Sequence, residues 1–401
     1  MKKVLSITVL LLAALAFISC DKEGGTPSHS VKVADLVLDF DKSVIHASGS
    51  DCVNFRVFYR GEDVSSSAEL FHIKGEKDYE PLTSMSFPAP SVGEYTFQAA
   101  YGAATSDRVT IKAISWAFPA APADAAPANT SFVHRTFFNQ HTGAQCSNCP
   151  FMTYLLKKTL TDDVKDKVVL ASIRNFSGES GFASIQNPIS QWPYLEIDHV
   201  TSYPYNASET GLKNIIEQQT ATPAVVGISA TPEYHEEDGQ IVVTVAVKAA
   251  QKNEYNLGLW LLQDNYKKTQ LVDNSRLSLL GPEGFTNDYH YHNNGVRVAE
   301  SRYLGVDMGY PLGMIEAGET KLWRFVFNVN RGSGKDENKD GKIDHNDGSW
   351  WKGKSKITLS DLHFAAFVTT SEVNERNELK YEVVNAIDFK YNETRPFDYI
   401  K

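Results

Sequence analysis

The stretch His141-Thr142-Gly143-Ala144-Gln145-Cys146-Ser147-Asn148-Cys149-Pro150 places two cysteines between an apolar run that favours a strand and a run with helical spacing. It predicts a strand, a glycine-containing turn and the N-terminus of a helix. A cysteine in the first turn of a helix lies beside unpaired N–H groups and the positive end of the helix dipole, which favours thiolate over thiol. Its partner one turn further is close enough to close a disulfide, so the pattern predicts a Cys146–Cys149 pair.

The CxxC pair has other interpretations. The disulfide could be an inert structural link, or the two cysteines could be half of a zinc site. Zinc requires two further ligands of similar type, and the sequence has no second CxxC and no HxxxH. A disulfide-forming pair is therefore favoured over zinc, and unpaired thiols are the remaining interpretation.

Residues 1–20 have the features of an export signal. Lys2-Lys3 is basic, residues 4–17 form a short apolar run, and Ser19 precedes Cys20. The run is too short for a stable membrane span. Ser19-Cys20 resembles a bacterial lipobox, in which the cysteine is acylated; the alternative is an ordinary cleaved signal. Acyl chains hold a protein at a bilayer without a spanning helix, so the expected partner is the membrane, through Cys20.

Residues 21–30 are predicted to be a polar tether. They begin with Asp21-Lys22-Glu23, which resembles the acidic tag that sends some lipoproteins of Gram-negative bacteria to the cell surface. The expected location is the outer membrane, lipid-anchored, on its periplasmic or cell-surface face.

Export places the four cysteines in an oxidising compartment. With Cys20 acylated and Cys146 paired with Cys149, Cys52 is left over. It lies in an alternating strand pattern, so we expect a buried free thiol rather than a reactive one.

The chain has 401 residues, which suggests two to four domains. Its formal net charge is −10 and it has no long basic run, so nucleic acid is not an expected partner. Alternation in residues 31–113, as in Val53, Phe55 and Val57, predicts an N-terminal immunoglobulin-like β-sandwich. Residues 114–130 are rich in Ala and Pro and are expected to be a semi-stiff, extended linker.

Residues 131–222 carry the CxxC motif and a mixed pattern. Residues 168–173 suit a strand buried on both faces, residues 187–197 predict a helical insertion, and a further strand and an amphipathic helix follow. This order resembles that of thioredoxin. The resemblance makes Pro204 a cis-proline that holds the Tyr203 backbone beside the two sulfurs; the alternative is an ordinary trans-proline loop.

Residues 223–401 return to a β pattern, with alternation around Ile241 to Lys248 and Trp323 to Val329. They predict a larger C-terminal β-sandwich with long loops. The expected fold is therefore α+β and multidomain, with an immunoglobulin-like sandwich, a thioredoxin-like α/β domain and a C-terminal sandwich that carries an inserted calcium loop.

Two histidines stand out in the C-terminal segment. If the stretch around them is a strand, His290 and His292 share a face and could ligate a metal. No carboxylate or third histidine is adjacent, so we favour an aromatic, hydrogen-bonding contact.

Residues 336–347 match the twelve-residue calcium loop of helix–loop–helix proteins. Gly341 lies at position six, where the chain must bend sharply, and Ile343 is the apolar residue at position eight. The expected oxygen donors are Asp336, Asn338, Asp340, the carbonyl of Lys342, Asp344 through water, and Asp347.

The flanking sequence does not predict the two helices of that motif, and Asp347 replaces the usual Glu. We therefore expect a structural Ca2+ in a loop of the sandwich, with a solvated acidic turn as the alternative. No organic cofactor is expected.

The chain resembles the Omp-twenty-eight-related outer-membrane lipoprotein family from about Ser131 to the C-terminus. The resemblance is carried by Cys146-Ser147-Asn148-Cys149-Pro150, Tyr203-Pro204 and the segment His292 to Arg297. It implies a thioredoxin-like fold, attachment to the outer membrane, and a role as surface receptor or adhesin. The protein or surface ligand is not implied by it.

Efficient thioredoxins have Trp before the first cysteine and a buried Asp six residues before it, whereas this chain has Gln145 and Gln140 there. Without that carboxylate, proton removal from Cys149 should be slow. We therefore favour a surface binding or structural protein. The alternative is a thiol–disulfide oxidoreductase in which Cys146 attacks, Cys149 resolves the mixed disulfide and Pro204 positions the substrate.

Overall fold

The structure is a computed structural model that describes residues 31–174, 182–185, 192–329, 358–374 and 378–401. These residues form mostly β-strands in several sheets, as expected of a multidomain protein rich in β-sandwiches. The predicted acylation site Cys20, the tether and the calcium loop 336–347 lie outside the described residues.

The N-terminal part forms two facing sheets. One has the order β3-β11-β9-β6-β7 with β10 beside β9, and the other has the order β2-β4-β5 with β8 beside β4. The strands are β1 (Val31–Lys32), β2 (Leu36–Phe40), β3 (Val44–His46), β4 (Cys52–Tyr59), β5 (Glu62–Asp63), β6 (Glu69–Gly75), β7 (Asp78–Leu82), β8 (Ser86–Pro88), β9 (Gly93–Tyr101), β10 (Ala104–Thr105) and β11 (Val109–Ile114).

The alternation in this part buries one face of each strand, as predicted. Val53, Phe55 and Val57 of β4 point into the core, and the ring centroid of Phe55 lies 4.8 Å from that of Phe97 in the facing sheet. Cys52, the first residue of β4, is a half-buried free thiol. Period-two burial of this kind fixes the register of a strand, because a one-residue slip would expose every core side chain.

The linker is attached along its length to the C-terminal part of the chain. The ammonium group of Lys248 is almost fully buried and donates to Asp124 Oδ2 at 2.8 Å. It also donates to the carbonyls of Pro127 at 2.7 Å and Asn129 at 3.0 Å. A buried charge with this many partners holds the segment in one conformation, since each partner offsets part of the cost of desolvation.

The described residues of the middle part form four strands and two helices. They are β12 (Thr136–His141), α1 (Cys149–Thr159), β13 (Val168–Ile173), β14 (Tyr194–Ile197), β15 (Thr201–Pro204) and α2 (Glu209–Gln219), with a 3-10 turn at Lys165–Lys167. The sheet order is β13-β12-β14-β15; β12 and β13 are parallel, and the other two pairs are antiparallel. Helix α1 packs on this sheet through Met152 and Leu155, which share a core with Phe138.

The helix predicted across residues 187–197 is wrong at its C-terminal end. Tyr194–Ile197 is a fully buried strand that pairs with β12 on one side and β15 on the other. Tyr194–Ile197 lies between β12 and β15, and pairing with both gives these residues more hydrogen bonds than one isolated helical turn, which is costly to nucleate.

The C-terminal part begins at β16. Its strands are β16 (Val226–His235), β17 (Gln240–Ala249), β18 (Asn253–Gln263), β19 (Tyr266–Lys267), β20 (Tyr291–His292), β21 (Gly295–Glu300), β22 (Tyr310–Ile315), β23 (Thr320–Asn328), β24 (Leu362–Val373) and β25 (Glu378–Lys390). Further 3-10 turns span Asn274–Leu280, Asn287–His290 and Leu359–Asp361.

The middle and C-terminal parts share one sheet. Its order is β1-β25-β24-β18-β21-β13-β12-β14-β15, with β22 beside β18, and the two parts join where Ser172 of β13 pairs with Gly295 of β21. The sheet curls, since Phe137 of β12 stacks on Phe367 of β24 with ring centroids 4.8 Å apart although three other strands lie between β12 and β24 in the sheet order. The strands β16-β17-β23 form a separate three-stranded sheet. The CxxC end of α1 therefore lies close to loops of the C-terminal part.

Candidate functional site

Cys146 and Cys149 form the disulfide that the spacing predicts, with Cα atoms 5.4 Å apart. Cys149 is the first residue of α1, Pro150 follows it, and the first turn contains no acidic residue. Only 5% of Cys146 and 1% of Cys149 are exposed. The sulfurs are therefore at the helix N-terminus, as expected, but are shielded from solvent.

Residues 268–280 cover the loop that carries the disulfide, and we call them the cover segment. The side-chain amide of Gln270 donates to the Cys146 carbonyl at 2.9 Å and lies 3.2 Å from the Ala144 carbonyl. The backbone N–H of Leu271 donates to the Ala144 carbonyl at 2.8 Å, and that of Asp273 to the Ser147 carbonyl at 2.9 Å. The loop that carries the disulfide thus has its outward carbonyls bonded to another part of the same chain.

The two histidines of the sequence pattern hold the cover segment. His290 Nδ1 accepts from the backbone N–H of Gln270 at 2.9 Å, and His292 Nε2 lies 3.1 Å from the Lys268 carbonyl. The favoured interpretation of these histidines as hydrogen-bonding contacts is confirmed. Burial, reinforced by the positive charge of Arg174, lowers the pKa of His292 to about 3. His292 is therefore neutral at ordinary pH.

The groups behind the disulfide are neutral amides and hydroxyls. Gln140 Nε2 donates to Thr153 Oγ1 at 3.1 Å, and Thr153 Oγ1 donates to the Cys149 carbonyl at 3.3 Å. Ser172 Oγ donates to Gln140 Oε1 at 3.3 Å. Gln140 cannot take a proton from Cys149 as a carboxylate would, which fits the slow exchange expected from the sequence.

Pro204 is not the cis-proline that the sequence interpretation required. The cis bond in the described chain is Trp192–Pro193, which directly precedes β14, and Tyr203–Pro204 is trans. Pro204 is exposed at the end of the edge strand β15, where it pairs with Tyr194 and is two strands away from β12. Pro193 precedes β14 and Pro204 ends β15, the two strands of one hairpin. The sequence pattern alone therefore does not tell which of the two prolines is cis.

A buried polar cluster lies on the face of the sheet that points away from α1. Glu196 Oε2 lies 3.2 Å from His199 Nδ1 and 3.2 Å from Asn139 Nδ2. The ring of His141 stacks on Tyr194 with centroids 4.1 Å apart and has Nε2 3.8 Å from Glu196 Oε2. Sequence periodicity did not indicate this cluster, although Asn139 and His141 are polar residues in a run otherwise suited to a core.

Asp198 lies at the edge of the same cluster. Its carboxylate accepts from the Phe137 backbone N–H at 2.6 Å and from Thr136 Oγ1 at 2.7 Å. Burial, which outweighs these hydrogen bonds, raises its pKa to about 7. Asp198 and His199 both adopt positive φ angles, of 52° and 62°, an uncommon backbone that Asn, Asp and His adopt more readily than most residues.

Within the ranges that the structure describes, no group of three or more His, Cys, Asp or Glu side chains is arranged to hold a metal ion. No helix of that part of the chain combines the length and the apolar character needed to cross a bilayer.

No protein-family model and no curated protein matches the chain. Among solved structures, HBP35 of Porphyromonas gingivalis is 15% identical with a TM-score of 0.47, and the match covers 67% of this chain and 78% of that chain. A domain of the outer membrane lipoprotein Omp28 from Porphyromonas gingivalis is 16% identical with a TM-score of 0.22, and the match covers 42% of this chain and 89% of that chain. With both TM-scores below 0.5, these likenesses carry no conclusion about fold or activity.

Proposed function

We propose that the chain is an outer-membrane lipoprotein, anchored through Cys20, that acts mainly as a surface binding or structural protein. We further propose that its N-terminal sandwich is immunoglobulin-like and that its middle part is thioredoxin-like. The second assignment is supported by the sheet order β13-β12-β14-β15, the parallel β12–β13 pair, and the positions of α1 after β12 and α2 after β15.

The observation that carries the binding or structural role is the contact of Gln270 with the disulfide loop. Disulfide exchange requires a thiolate to reach one of the two sulfurs. The cover segment bonds to the carbonyls of Ala144, Cys146 and Ser147, and the sulfurs beneath are almost fully buried. A disulfide in these surroundings links the loop to the helix rather than offering a reactive bond.

The reduction potential of the Cys146–Cys149 disulfide tests this role. A structural disulfide is expected below about −300 mV, whereas a potential near −200 mV is typical of exchange proteins. The measurement is an equilibration with glutathione or dithiothreitol buffers, read by thiol alkylation. A potential of about −200 mV would contradict the role, and a Cys146→Ser/Cys149→Ser variant that keeps its fold and its cell-surface level would show that the role does not require disulfide exchange.

The alternative function is a thiol–disulfide oxidoreductase, favoured by the position of Cys149 in an α1 first turn that contains no acidic residue. In that reaction the Cys146 thiolate would attack a substrate disulfide, form a mixed disulfide and release a substrate thiolate. Cys149 would then displace the substrate as its second thiolate. An insulin-reduction assay decides between the two: turnover by the wild type that is lost in Cys146→Ser would establish the enzyme.

The proposed structural Ca2+ is tested at residues 336–347. Trp350 and Trp351 follow the loop and can sensitise the luminescence of bound Tb3+, which Ca2+ would displace. Asp340→Ala should abolish the signal, since position five supplies a direct oxygen ligand. The exposed Asp162 provides the matched control, and equal signals from Asp162→Ala and Asp340→Ala would contradict the site.

The anchor is tested by metabolic labelling with a clickable fatty acid. The wild type should incorporate the label and fractionate with outer membranes, and Cys20→Ala should do neither. Protease treatment of intact cells then separates the cell-surface face from the periplasmic face. Labelling that persists in Cys20→Ala would overturn the anchor.

A further inference from the structure

A cavity of about 400 Å³ lies between α1 and residues 288–294. Its volume is within the range of sites that bind small molecules. Gln140 and Thr142 line it at the end of β12, and Ser172 and Arg174 line it at the end of β13. The carboxyl ends of parallel strands are where open α/β sheets bind ligands.

The wall away from these strand ends is apolar. Leu156 comes from the second half of α1, Leu160 directly follows the last residue of α1, and Leu170 comes from the first half of β13. Because α1 runs back against the direction of β12 and β13, these leucines lie at the end of the cavity opposite Arg174. Tyr289 and Tyr291 also line the cavity.

Among the described residues that line the cavity, the fixed charges are those of Arg174, Lys157 and Asp288. Arg174 is only 2% exposed and has its guanidinium carbon 5.4 Å from the centroid of Phe182 and 5.7 Å from that of Tyr266. Lys157 lies on the rim, and Asp288 is the acidic residue of the lining. After burial, the positive charge of Arg174 is the next cause of the lowered pKa of His292, which also lines the cavity. Gln140 and Ser172 are bonded to each other and add no charge.

We infer that the cavity binds a small amphipathic organic anion, with its carboxylate or sulfonate at the Arg174 end and its aromatic or alkyl body against the leucines. Buried arginine forms charge-assisted hydrogen bonds with such groups, and the apolar wall gains from covering a hydrocarbon body. This inference depends on the cavity alone and not on the proposed surface role or on the redox state of the disulfide.

Two fluorescent probes with related aromatic bodies test the inference. One is 8-anilinonaphthalene-1-sulfonate, which is anionic, and the other is N-phenyl-1-naphthylamine, which is neutral. The protein is the full chain with Cys20→Ser, so that no acyl chain binds either dye. We expect saturable binding of about one sulfonate per chain, at least about tenfold tighter than binding of the neutral probe.

Variants then locate the binding. Lys157→Gln should weaken the sulfonate by no more than about twofold and leave the neutral probe unchanged, because Lys157 lies beside Leu156, away from the Arg174 end, and its charge on the rim is partly screened. The neighbouring exposed Lys158, which does not line the cavity, is the matched control, so Lys158→Gln should change neither probe. Arg174→Gln should weaken the sulfonate about tenfold or more.

A substitution that fills the cavity tests the inference without changing its charge. Leu160 is half-buried and lines the cavity, so Leu160→Trp should weaken both probes about tenfold. Leu279 is exposed outside the cavity, and Leu279→Trp should have no effect. If Arg174→Gln fails to fold, the two probes and the Leu160 variant still decide. Equal affinities for the two probes, or sulfonate binding unchanged in Leu160→Trp, would overturn the inference.

Discussion

The two faces of strand β12 have opposite chemistry. Toward α1, Gln140 meets Thr153 and Ser172, and the groups behind the disulfide carry no charge. Toward the curled sheet, Asn139 and His141 approach Glu196, and the cluster there is built from ionisable side chains. The clustered acid–base groups that the structure describes in this part of the chain are therefore on the face that does not hold the sulfurs. Their arrangement favours packing and specificity of fold over proton transfer to Cys149.

The largest expected effect is on the ionisable face. Glu196→Ala removes the acceptor shared by His199 and Asn139 and leaves buried polar atoms unsatisfied. We expect the free energy of unfolding to fall by about 3 kcal/mol in urea denaturation, with no change in the rate at which dithiothreitol reduces the disulfide. The exposed Glu217 is the control, and Glu217→Ala should stay within about 0.5 kcal/mol of the wild type. A faster reduction rate in Glu196→Ala would show that the two faces are coupled.

The next effect is on the neutral face. Gln270→Ala removes the side-chain amide that bonds to the Cys146 carbonyl and opens a path to the sulfurs. Loss of about 1.4 kcal/mol of closing free energy corresponds to a tenfold faster reduction by dithiothreitol. The exposed Gln218 is the matched control. An unchanged rate in Gln270→Ala would mean that the cover segment does not control access.

Raising the pH from about 4 to 7 should weaken the ionisable face. Burial raises the pKa of Asp198 to about 7, above its ordinary value of 3.8. Between these two values the folded state binds the proton that the unfolded state has released, so stability falls as pH rises from about 4 to 7. We expect a loss of up to about 1.4 kcal/mol per pH unit in this range, absent in Asp198→Asn, which keeps the positive φ accessible. Urea denaturation at several pH values measures it, and identical slopes in the two proteins would contradict the assignment.

Lowering the pH should weaken the neutral face, and this is the smallest of the expected effects. Burial lowers the pKa of His292 to about 3, below its ordinary value of 6.5. Between these two values the unfolded state binds a proton on this histidine and the folded state does not. The stability that neutral His292 contributes is therefore lost as pH falls from about 6.5 to 3. Because His292 holds the cover segment at Lys268, the reduction rate by a phosphine, which works in acid, should rise by a fewfold at low pH. His292→Gln should flatten that rise.

The sequence was a good guide where local chemistry and geometry coincide. The spacing of Cys146 and Cys149 predicted the disulfide, residues 168–173 predicted β13, and Leu212 with Ile216 predicted α2. In each case neighbours in sequence are also neighbours in space, so helical or strand periodicity is sufficient.

It was a poor guide where distant segments meet. Gln270 lies more than a hundred residues beyond the cysteines whose loop it covers, and nothing in its own surroundings in sequence signals that contact. Tyr194–Ile197 became a strand because β12 and β15 were available on both sides. Lys248 looked like the polar end of a strand, yet its ammonium is buried by the linker. Tertiary context decides such positions, and propensity does not.

The first two residues that the structure describes have a mechanical consequence. Strand β1 (Val31–Lys32) pairs with β25 at the edge of the ten-stranded sheet, before the chain enters the N-terminal sandwich. With the lipid at Cys20 as proposed, tension between the bilayer and the protein would load this short strand first. The force would then be transmitted to the ten-stranded sheet, which also contains the strands next to the disulfide, without first passing through the N-terminal sandwich.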